Sequence, residues 1–391
     1  MTVHIEVERY PEATGGRAHA ALHLEALLAE AARLEASHLH LEPTARGIDI
    51  AFRASGLLHP FREVTQAEGA AVIRQITDAA RLSSDGVLPR RGEMRWEGEV
   101  LDIFVLPVVH GQRVVVQRAP RQAGHRELEA LGMSAALANH ARTVLARPGL
   151  ILVAAPPGHG RSTTVYALLG HAVSRTRPAL AVTSGAMPEI LGVTWADAAV
   201  VAPAETLRAG IEQDIDILVI DSLEDRAAAA AAVQATQAGR LVVAGIDAQD
   251  SVAAIQQLRA WRVEAFHLAS ALSLVMAQRL VRRLCPECRE PVQATGSVSA
   301  LLGFDPGAIV YASSGCSACA DTGFAGQTGV FESIRGDATI RRLVNDGGDA
   351  AILARHAFVS TPNLGSAARH LARTGMTTPE EAVKISRGQG A

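Results

Sequence analysis

Residues 150–169 read LILVAAPPGHGRSTTVYALL, and this stretch decides the fold. The apolar run predicts a buried strand, the Pro- and Gly-containing segment a turn, and the residues from Arg161 onward a helix. A strand, a glycine turn and a helix N-terminus form a phosphate-binding loop, because the unpaired amides and the positive dipole end of the helix attract an anion. The residues predicted to hold a nucleotide there are Gly158, His159, Gly160, Arg161, Ser162 and Thr163.

This loop departs from the pattern G-x-x-x-x-G-K-[ST] at two positions. Ala155 stands at the first glycine, and Arg161 stands at the lysine. Ser162 keeps the hydroxyl that faces Mg²⁺ in such loops. Arginine retains the charge of lysine but is longer and planar, so it cannot reach the phosphates in the same geometry. A plain glycine turn between a strand and a helix remains the alternative for this stretch taken alone.

Composition excludes several classes of protein. The chain has 391 residues with 48% hydrophobic and 20% charged residues, which is typical of a globular protein of two or three domains. Its net charge of -3 gives no global attraction to nucleic acid. No apolar run reaches the roughly 18 residues of a membrane helix, and the charged start predicts no signal peptide. We therefore expect a cytoplasmic protein.

The distribution of apolar segments divides the chain into four regions. Residues 1–118 are predicted to form a small α+β domain and residues 119–127 a linker. Residues 128–276 are predicted to form a nucleotide-binding α/β domain, in which the strands LILVAA, LAVTS, AAVVAP, DILVID and RLVVAGID alternate with helices. That alternation favours a mostly parallel sheet. Residues 277–391 are predicted to contain a zinc module and short helices.

The zinc module is predicted from the four cysteines of the chain. They form two C-x2-C pairs separated by 27 residues, a spacing that allows four thiolates to surround one tetrahedral Zn²⁺: Cys285, Cys288, Cys316 and Cys319. Four buried free thiols are the alternative. Neither pair opens a helix in a thioredoxin-like context, which disfavours a redox role.

The chain resembles the secretion ATPases of type II secretion and type IV pilus assembly. The resemblance rests on ALLAEAARLEASHLHLEP, LPVVHGQRVVVQR, the phosphate-loop segment, the segment from 211 to 251 and AQRLVRRLCPECRE, which leads into the cysteine module of the secretion and pilus-extension members. It implies an N-terminal α+β domain joined to a RecA-like domain, structural zinc, ATP with Mg²⁺, and a hexameric ring on the cytoplasmic side of the inner membrane. The longer N-terminal docking domain of the family is expected to be missing.

Compared with that family, the hydrolysis motifs are altered. Thr183 and Ser184 stand where the resemblance places acidic residues, and Ser222 stands at the glutamate of the next motif. Neither hydroxyl at 183 or 184 is a general base near neutral pH. Glu189 and Asp221 are therefore the remaining catalytic candidates, Glu189 only if its loop folds back. Asp221 ends an apolar strand, where it is either a ligand of Mg²⁺ through water or a helix cap.

Other positions that the resemblance assigns to nucleotide chemistry are altered too. Arg240 and Asp247 stand at two histidine positions of the family, and Asp102 and Glu93 stand at arginine positions that reach a neighbouring nucleotide. Arg53 is retained at a third such position. A loss of arginine and of a general base lowers hydrolysis by several orders of magnitude, so nucleotide binding is expected to be weak and turnover negligible.

Two further groups of polar residues are interpreted as structural. His38 and His40 form an H-x-H pair that is either a metal-binding pair or an ordinary half-exposed strand face. Arg279, Arg282 and Arg283 form a basic patch that we interpret as a solvated helix face. Aromatic residues do not alternate with these arginines, so no nucleic-acid partner is expected.

Three functions remain open. The first is a non-catalytic or very weak member of the secretion-ATPase family that acts as a structural or regulatory subunit. The second is a slow ATPase that uses Arg161, Ser162 and Asp221. The third is a zinc-stabilised binding protein that has no nucleotide. The first implies a peripheral inner-membrane location, a homo- or hetero-hexamer, and a motif-complete paralogous ATPase or an inner-membrane platform protein as partner.

Overall fold

The N-terminal part of the chain forms an antiparallel sheet with two helices. The computed structural model describes residues 23–82, 90–118, 126–183, 187–305, 307–319 and 321–387. The elements of this part are α1 (Leu24–Arg33), β1 (His38–Pro43), β2 (Ile48–Ala54), β3 (Leu57–Val64), α2 (Gln66–Ala79), β4 (Arg90–Trp96), β5 (Glu99–Val108) and β6 (Gly111–Arg118). The sheet has the order β3-β2-β1-β6-β5-β4.

Alternating hydrophobicity explains this sheet. In β1, Leu39 and Leu41 point to one face and are buried together with Leu27 and Leu28 of α1. The two edge strands β3 and β4 were not predicted. β3 is mostly exposed, and the apolar alternation of β4 is confined to Met94 and Trp96, so both carry a weak strand pattern. The predicted α+β fold of this part is confirmed.

The second part of the chain is built on a seven-stranded sheet. Its elements up to the cysteines are α3 (Ala135–Leu145), β7 (Gly149–Ala154), α4 (Arg161–Ala172), β8 (Ala179–Thr183), β9 (Val193–Asp197), α5 (Pro203–Glu212), β10 (Ile217–Leu223), α6 (Arg226–Gln237), β11 (Leu241–Ile246), α7 (Ser251–Ala260), α8 (Ala265–Ala271) and β12 (Leu272–Leu284). The remaining elements are β13 (Arg289–Gln293), α9 (Gly296–Leu302), β14 (Ile309–Ser313), β15 (Phe324–Arg335), α10 (Ala338–Asn345), α11 (Ala350–Ala357), α12 (Leu364–Arg373) and α13 (Pro379–Arg387).

The order of the seven strands is β15-β12-β7-β11-β10-β8-β9. All neighbouring pairs are parallel except β12 with β15. Every residue of β7 and β11 is buried, because apolar cores lie on both faces of the sheet. The predicted mostly parallel α/β sheet is confirmed. The carboxyl ends of its parallel strands meet at one edge, where such sheets bind ligands.

Two details differ from the sequence-based expectations. The segment AAVVAP at 198–203 is not a strand; Val200 is exposed, Pro203 opens α5, and the strand is the preceding β9. The boundary expected between residues 276 and 277 falls inside β12, and β15, which was not predicted, extends the same sheet. Residues 119–125 of the expected linker lie outside the described residues.

Candidate functional site

The loop between β7 and α4 has the backbone of a phosphate-binding turn. Gly158 and Gly160 have φ angles of 78° and 80°, and Gly160 is the N-cap of α4. The positive φ of Gly160 favours glycine, and a Cβ atom there would lie 3.0 Å from Nε2 of Gln278, which would have to shift slightly. The described α4 begins at Arg161, as the sequence predicted, and its first amides face the loop.

Strand β12 holds this loop through His159. Gln278 donates its Nε2–H to the carbonyl oxygen of His159 over 2.7 Å, and the backbone N–H of Leu280 donates to His159 Nδ1 over 3.1 Å. Burial and then the charge of Arg279 lower the pKa of His159. The imidazole is therefore neutral at pH 7 with its proton on Nε2, and His159 attaches the loop to β12.

A cavity of about 1100 Å³ separates the loop from the N-terminal sheet. Arg53, Arg126 and Arg161 contribute positive charge to its lining, together with residues 156–163 of the loop. The carboxylates of the described lining belong to Glu35 and to Glu99, which accepts two hydrogen bonds of 3.0 and 3.1 Å from the guanidinium of Arg118. The cavity is large enough for a nucleotide, and its charge favours an anion.

Behind the loop lies a cluster of polar side chains from three elements. Tyr166 of α4 donates its hydroxyl to Oγ1 of Thr183 over 3.0 Å. Asp221 of β10 faces Ser162 and Tyr166, and its Oδ1 is buried without a hydrogen-bond partner among the described residues. Burial raises the pKa of Asp221. It outweighs the hydroxyl of Ser162 and the charge of Arg161, which both lower that pKa. Burial also raises the pKa of Tyr166, so its phenol stays protonated.

The Arg161 side chain crosses the end of β11 towards this cluster. Its Cδ and Nε lie 2.9 and 3.0 Å from the position that a Cβ atom of Gly245 would take. Strand β11 separates β7 from β10, the strand of Asp221. Nε of Arg161 is buried and has no hydrogen-bond partner in the described part of the chain. Arg161 thus belongs to the same cluster as Ser162 and Asp221, and its charge acts on the Asp221 carboxylate. A positive side chain in this cluster disfavours Mg²⁺ between the two oxygens.

Glu189 does not take the place of the missing acidic residues. Thr183 ends β8, is buried and bonds to Tyr166. Ser184 lies outside the described residues. Glu189 is exposed and is not part of the cavity lining, while Ser222 is a half-buried residue of β10. Of the two catalytic candidates, Asp221 therefore lies next to the loop residues and Glu189 lies away from the cavity.

The other altered positions have structural partners. Asp102 is buried, pairs with Arg91 at 3.1 Å, and lies opposite Glu93 in the sheet register. Neither acid lines the cavity, so within this chain they do not repel an anion there. Arg53 lines the cavity and donates to the carbonyl of Gly56 over 3.0 Å.

The two residues at the expected histidine positions flank β11. Arg240 precedes the strand, and its Nη2 lies 2.8 Å from Oδ1 of Asp214. Asp247 directly follows the strand and is exposed. Because β7 and β11 are parallel and in register, Arg240 lies at the end of the sheet opposite to the phosphate loop.

The four cysteines meet as predicted. Their sulfur atoms all lie within 4.8 Å of one another, with contacts of 3.8 and 3.9 Å between the two pairs. A tetrahedron of Zn–S bonds of about 2.3 Å requires sulfur separations of about 3.8 Å, so the group fits a tetrahedral metal ion. Burial opposes ionisation of Cys319, but amides of Cys316 and Gly323 donate to its sulfur and lower its pKa to about 6.

The interpretation of the basic patch as a solvated helix face is wrong. Arg279, Arg282 and Arg283 belong to strand β12. Arg279 is buried and donates to Oε1 of Gln249 over 2.8 Å, and Arg282 pairs with Glu381 at 2.9 Å. These arginines therefore fix neighbouring segments of the fold.

The rings of His38 and His40 stack at 5.8 Å on β1. Burial and neighbouring positive charge lower the pKa of His40 to about 4, so it is neutral at pH 7. Within the described ranges, the group of three or more potential metal ligands is the cysteine cluster, which does not include these histidines.

A family model for type II/IV secretion system proteins matches residues 15–384. The chain belongs to this family. Type II secretion system protein E of Pseudomonas aeruginosa is 35% identical over 375 residues, which cover 93% of this chain and 75% of that protein. Type II secretion system ATPase E of Vibrio cholerae is 31% identical over 93% of this chain and 75% of its own length. The type IV pilus assembly ATPase PilB of Thermus thermophilus is 28% identical over 91% of this chain and 42% of its own length.

Solved structures agree with the fold of this secretion-family chain. The ATPase DotB of Yersinia pseudotuberculosis superimposes with a TM-score of 0.71 at 16% identity, over 99% of this chain and 98% of that one. The pilus retraction motor PilT with bound ADP gives a TM-score of 0.65 at 17% identity, over 93% and 97% of the two chains. The predicted RecA-like domain preceded by an α+β domain is therefore confirmed. In the described part of the family member, no helix is long and apolar enough to cross a membrane.

Sequence reasoning missed Tyr166, Gly245 and Gln278. Tyr166 lies in the predicted helix and Gly245 in the predicted strand RLVVAGID, and neither was assigned a role. A glycine inside an otherwise fully apolar parallel strand is the signal that was available, because it often marks the close approach of another group.

Proposed function

We propose that this chain is a secretion-ATPase family subunit that binds a nucleotide and hydrolyses it very slowly or not at all. The observation that carries the proposal is the hydrogen bond between Tyr166 and Thr183, at the place where a water-activating acid is expected. A buried phenol with a raised pKa and a threonine hydroxyl cannot accept a proton from water near neutral pH. A general base contributes about 10²- to 10⁴-fold to such a reaction, which this pair does not supply.

The surroundings of the loop support binding without turnover. The α4 amides, Arg161 and the basic cavity lining favour a polyphosphate. The lining carboxylates are Glu35 and the arginine-bound Glu99, both from the N-terminal sheet domain. Neither belongs to the carboxyl edge of the parallel sheet, where the phosphate loop and Asp221 lie.

The proposed role is structural or regulatory, in a type II secretion or type IV pilus motor. Relatives named as secretion and pilus ATPases support the type of system, and the Tyr166–Thr183 hydrogen bond supports a role other than hydrolysis. We propose a homo- or hetero-hexamer, a motif-complete paralogous ATPase or an inner-membrane platform protein as partner, and a cytoplasmic location peripheral to the inner membrane. The cysteine cluster is proposed to hold one structural Zn²⁺.

A slow ATPase is the second candidate. The observation that favours it is the buried, unpartnered Oδ1 of Asp221 next to Ser162, since catalytic carboxylates are often buried and incompletely hydrogen-bonded. In this alternative, Asp221 is required for hydrolysis and Arg161 contacts the phosphates.

Phosphate release by the purified chain separates the two candidates. We expect release at the level of a no-protein blank over a long incubation. Asp221→Asn and Asp78→Asn form a matched pair, because Asp78 is an exposed carboxylate on α2. Robust release that is lost in the first variant and kept in the second would establish the slow enzyme instead. Failure of ADP and ATP to raise the melting temperature would exclude a nucleotide protein of either kind.

Co-purification at physiological salt tests the proposed role. We expect the chain to be retained by a motif-complete ATPase or by a platform protein from the same cell. A strictly monomeric chain that is retained by neither would contradict a structural or regulatory subunit.

A further inference from the structure

The Arg161 side chain of the phosphate loop lies close enough to Asp221 for its positive charge to act on that carboxylate. The point at which Gly245 would carry a Cβ is 3.0 Å from Nε of Arg161 and 2.1 Å from the backbone oxygen of Asp221. The Arg161 side chain therefore reaches from the start of α4 across β11 to the edge of β10. It can do so because residue 245 has no side chain.

The same region contains a buried donor and a buried acceptor without partners. Nε of Arg161 and Oδ1 of Asp221 are both inaccessible to solvent, and neither has a hydrogen-bond partner among the residues described. Leaving such groups unpaired is costly, so their arrangement points to a ligand. Arg161 requires an acceptor such as a phosphate oxygen, whereas Asp221 requires a donor such as a water molecule or a cation.

A divalent cation is a poor candidate for that donor. Phosphate-loop enzymes hold Mg²⁺ between the loop hydroxyl and an acid on a neighbouring strand, and the metal neutralises the phosphates. Here Ser162 and Asp221 supply the oxygens, but the charge of Arg161 also acts on Asp221, and its Nε lies beside the same sheet edge. A second positive group beside Mg²⁺ is repelled by it, while a guanidinium alone already binds phosphate through paired hydrogen bonds.

We propose that this site binds the polyphosphate of a nucleotide without a divalent metal, with Arg161 in the position of the cation. The inference rests on the proposed function, because it specifies how the nucleotide is held. Arg161 and the first amides of α4 contact the phosphates, and the cavity of about 1100 Å³ in front of the loop takes the remainder of the nucleotide. The unpartnered Oδ1 of Asp221 accepts a hydrogen bond from a water molecule.

Nucleotide affinity with and without Mg²⁺ tests the inference. The full chain is titrated with ADP and with ATP, by calorimetry, in buffer with excess Mg²⁺ and in buffer freed of metal on a chelating resin. A resin is used rather than a soluble chelator, so that metal held by the cysteines is retained. We expect the affinity without Mg²⁺ to equal or exceed the affinity with Mg²⁺.

Arg161→Lys provides the decisive variant and Arg175→Lys its matched control, since Arg175 is exposed in a turn away from the cavity. Without Mg²⁺, we expect the affinity of Arg161→Lys to fall about tenfold, the effect of losing a paired, charge-assisted contact, and the control to be unchanged. Added Mg²⁺ is expected to restore part of the affinity of Arg161→Lys, because the shorter side chain vacates the place beside Asp221.

Asp221→Asn provides a second test if Arg161→Lys folds poorly. Removing this negative charge near the phosphates is expected to leave affinity unchanged or raise it in both buffers, whereas a metal site would lose affinity in Mg²⁺. Wild-type affinity that rises about tenfold or more with Mg²⁺ would overturn the inference and leave the proposed function intact. No binding in either buffer would overturn both.

Discussion

Replacing Glu381 by glutamine is expected to loosen the attachment of the C-terminal helix α13 to strand β12. The carboxylate is buried, with its side chain 8% exposed, and it accepts hydrogen bonds from Arg282 N at 3.1 Å, Arg282 Nη2 at 2.9 Å and Lys384 Nζ at 2.7 Å. Burial favours the neutral acid, but the donors of Arg282 and Lys384 prevail and lower the pKa of Glu381 to about 2. The charge is therefore stabilised by the fold.

The size of the effect follows from that pKa. The carboxyl group has an ordinary value of 4.5 and a folded value of about 2. At about 1.4 kcal/mol per pKa unit, ionised Glu381 contributes at most about 3 kcal/mol at pH 7. Because the folded pKa is the lower one, the contribution is complete above the unfolded pKa and disappears as the pH falls from about 4.5 towards 2. We expect Glu381→Gln to cost roughly 2–3 kcal/mol at pH 7 and about half of that near pH 3.5.

Urea denaturation of the wild type, Glu381→Gln and Glu380→Gln at both pH values measures this difference. Glu380 is the matched control, because it is exposed and adjacent in the same helix. Any loss of metal at low pH affects both variants equally, so it cancels in the difference between their free energies of unfolding. Equal free energies of unfolding for the two variants at pH 7, or a difference that does not shrink at pH 3.5, would refute the reasoning.

Three further expectations concern the site and the metal. Metal analysis should find about one Zn²⁺ per chain, and Cys319→Ser should lose most of it; four freely titratable thiols in the wild type would contradict a metal site. Gln278→Ala removes the hydrogen bond to the loop at His159 and should lower nucleotide affinity about fivefold, as measured by calorimetry, whereas an unchanged affinity would mean that the loop keeps its shape without it. Gly245→Ala should lower the melting temperature markedly, because its Cβ would overlap the backbone of Asp221, and a stability equal to wild type would show that the sheet edge can shift.

Much of the fold and part of the site could be predicted from local sequence. The strand, turn and helix around Gly160 were predictable, because apolar runs and glycines act over a few residues. The cysteine cluster was predictable from spacing, because both pairs have the short separation that metal ligation needs. In each case the physical cause lies within the segment itself.

The features that were missed depend on distant segments. From the sequence, the arginines of β12 were interpreted as a solvated helix face. Their partners could not be recognised, because Arg279 contacts Gln249 and Arg282 pairs with Glu381, both distant in the sequence. The inward path of Arg161 depends on the absence of a side chain at 245, on a different strand. Neither local hydrophobicity nor residue spacing predicts such contacts between segments that are distant in the sequence.

Strand β12 also connects the phosphate loop to the cysteine cluster. It has 13 residues, is roughly 40 Å long, lies between β15 and β7 in the large sheet and ends at Leu284, and Cys285 follows directly. Gln278 and Leu280 of this strand donate hydrogen bonds to His159 of the phosphate loop. One strand backbone therefore joins the residues that bond to the phosphate loop with the first cysteine of the cluster.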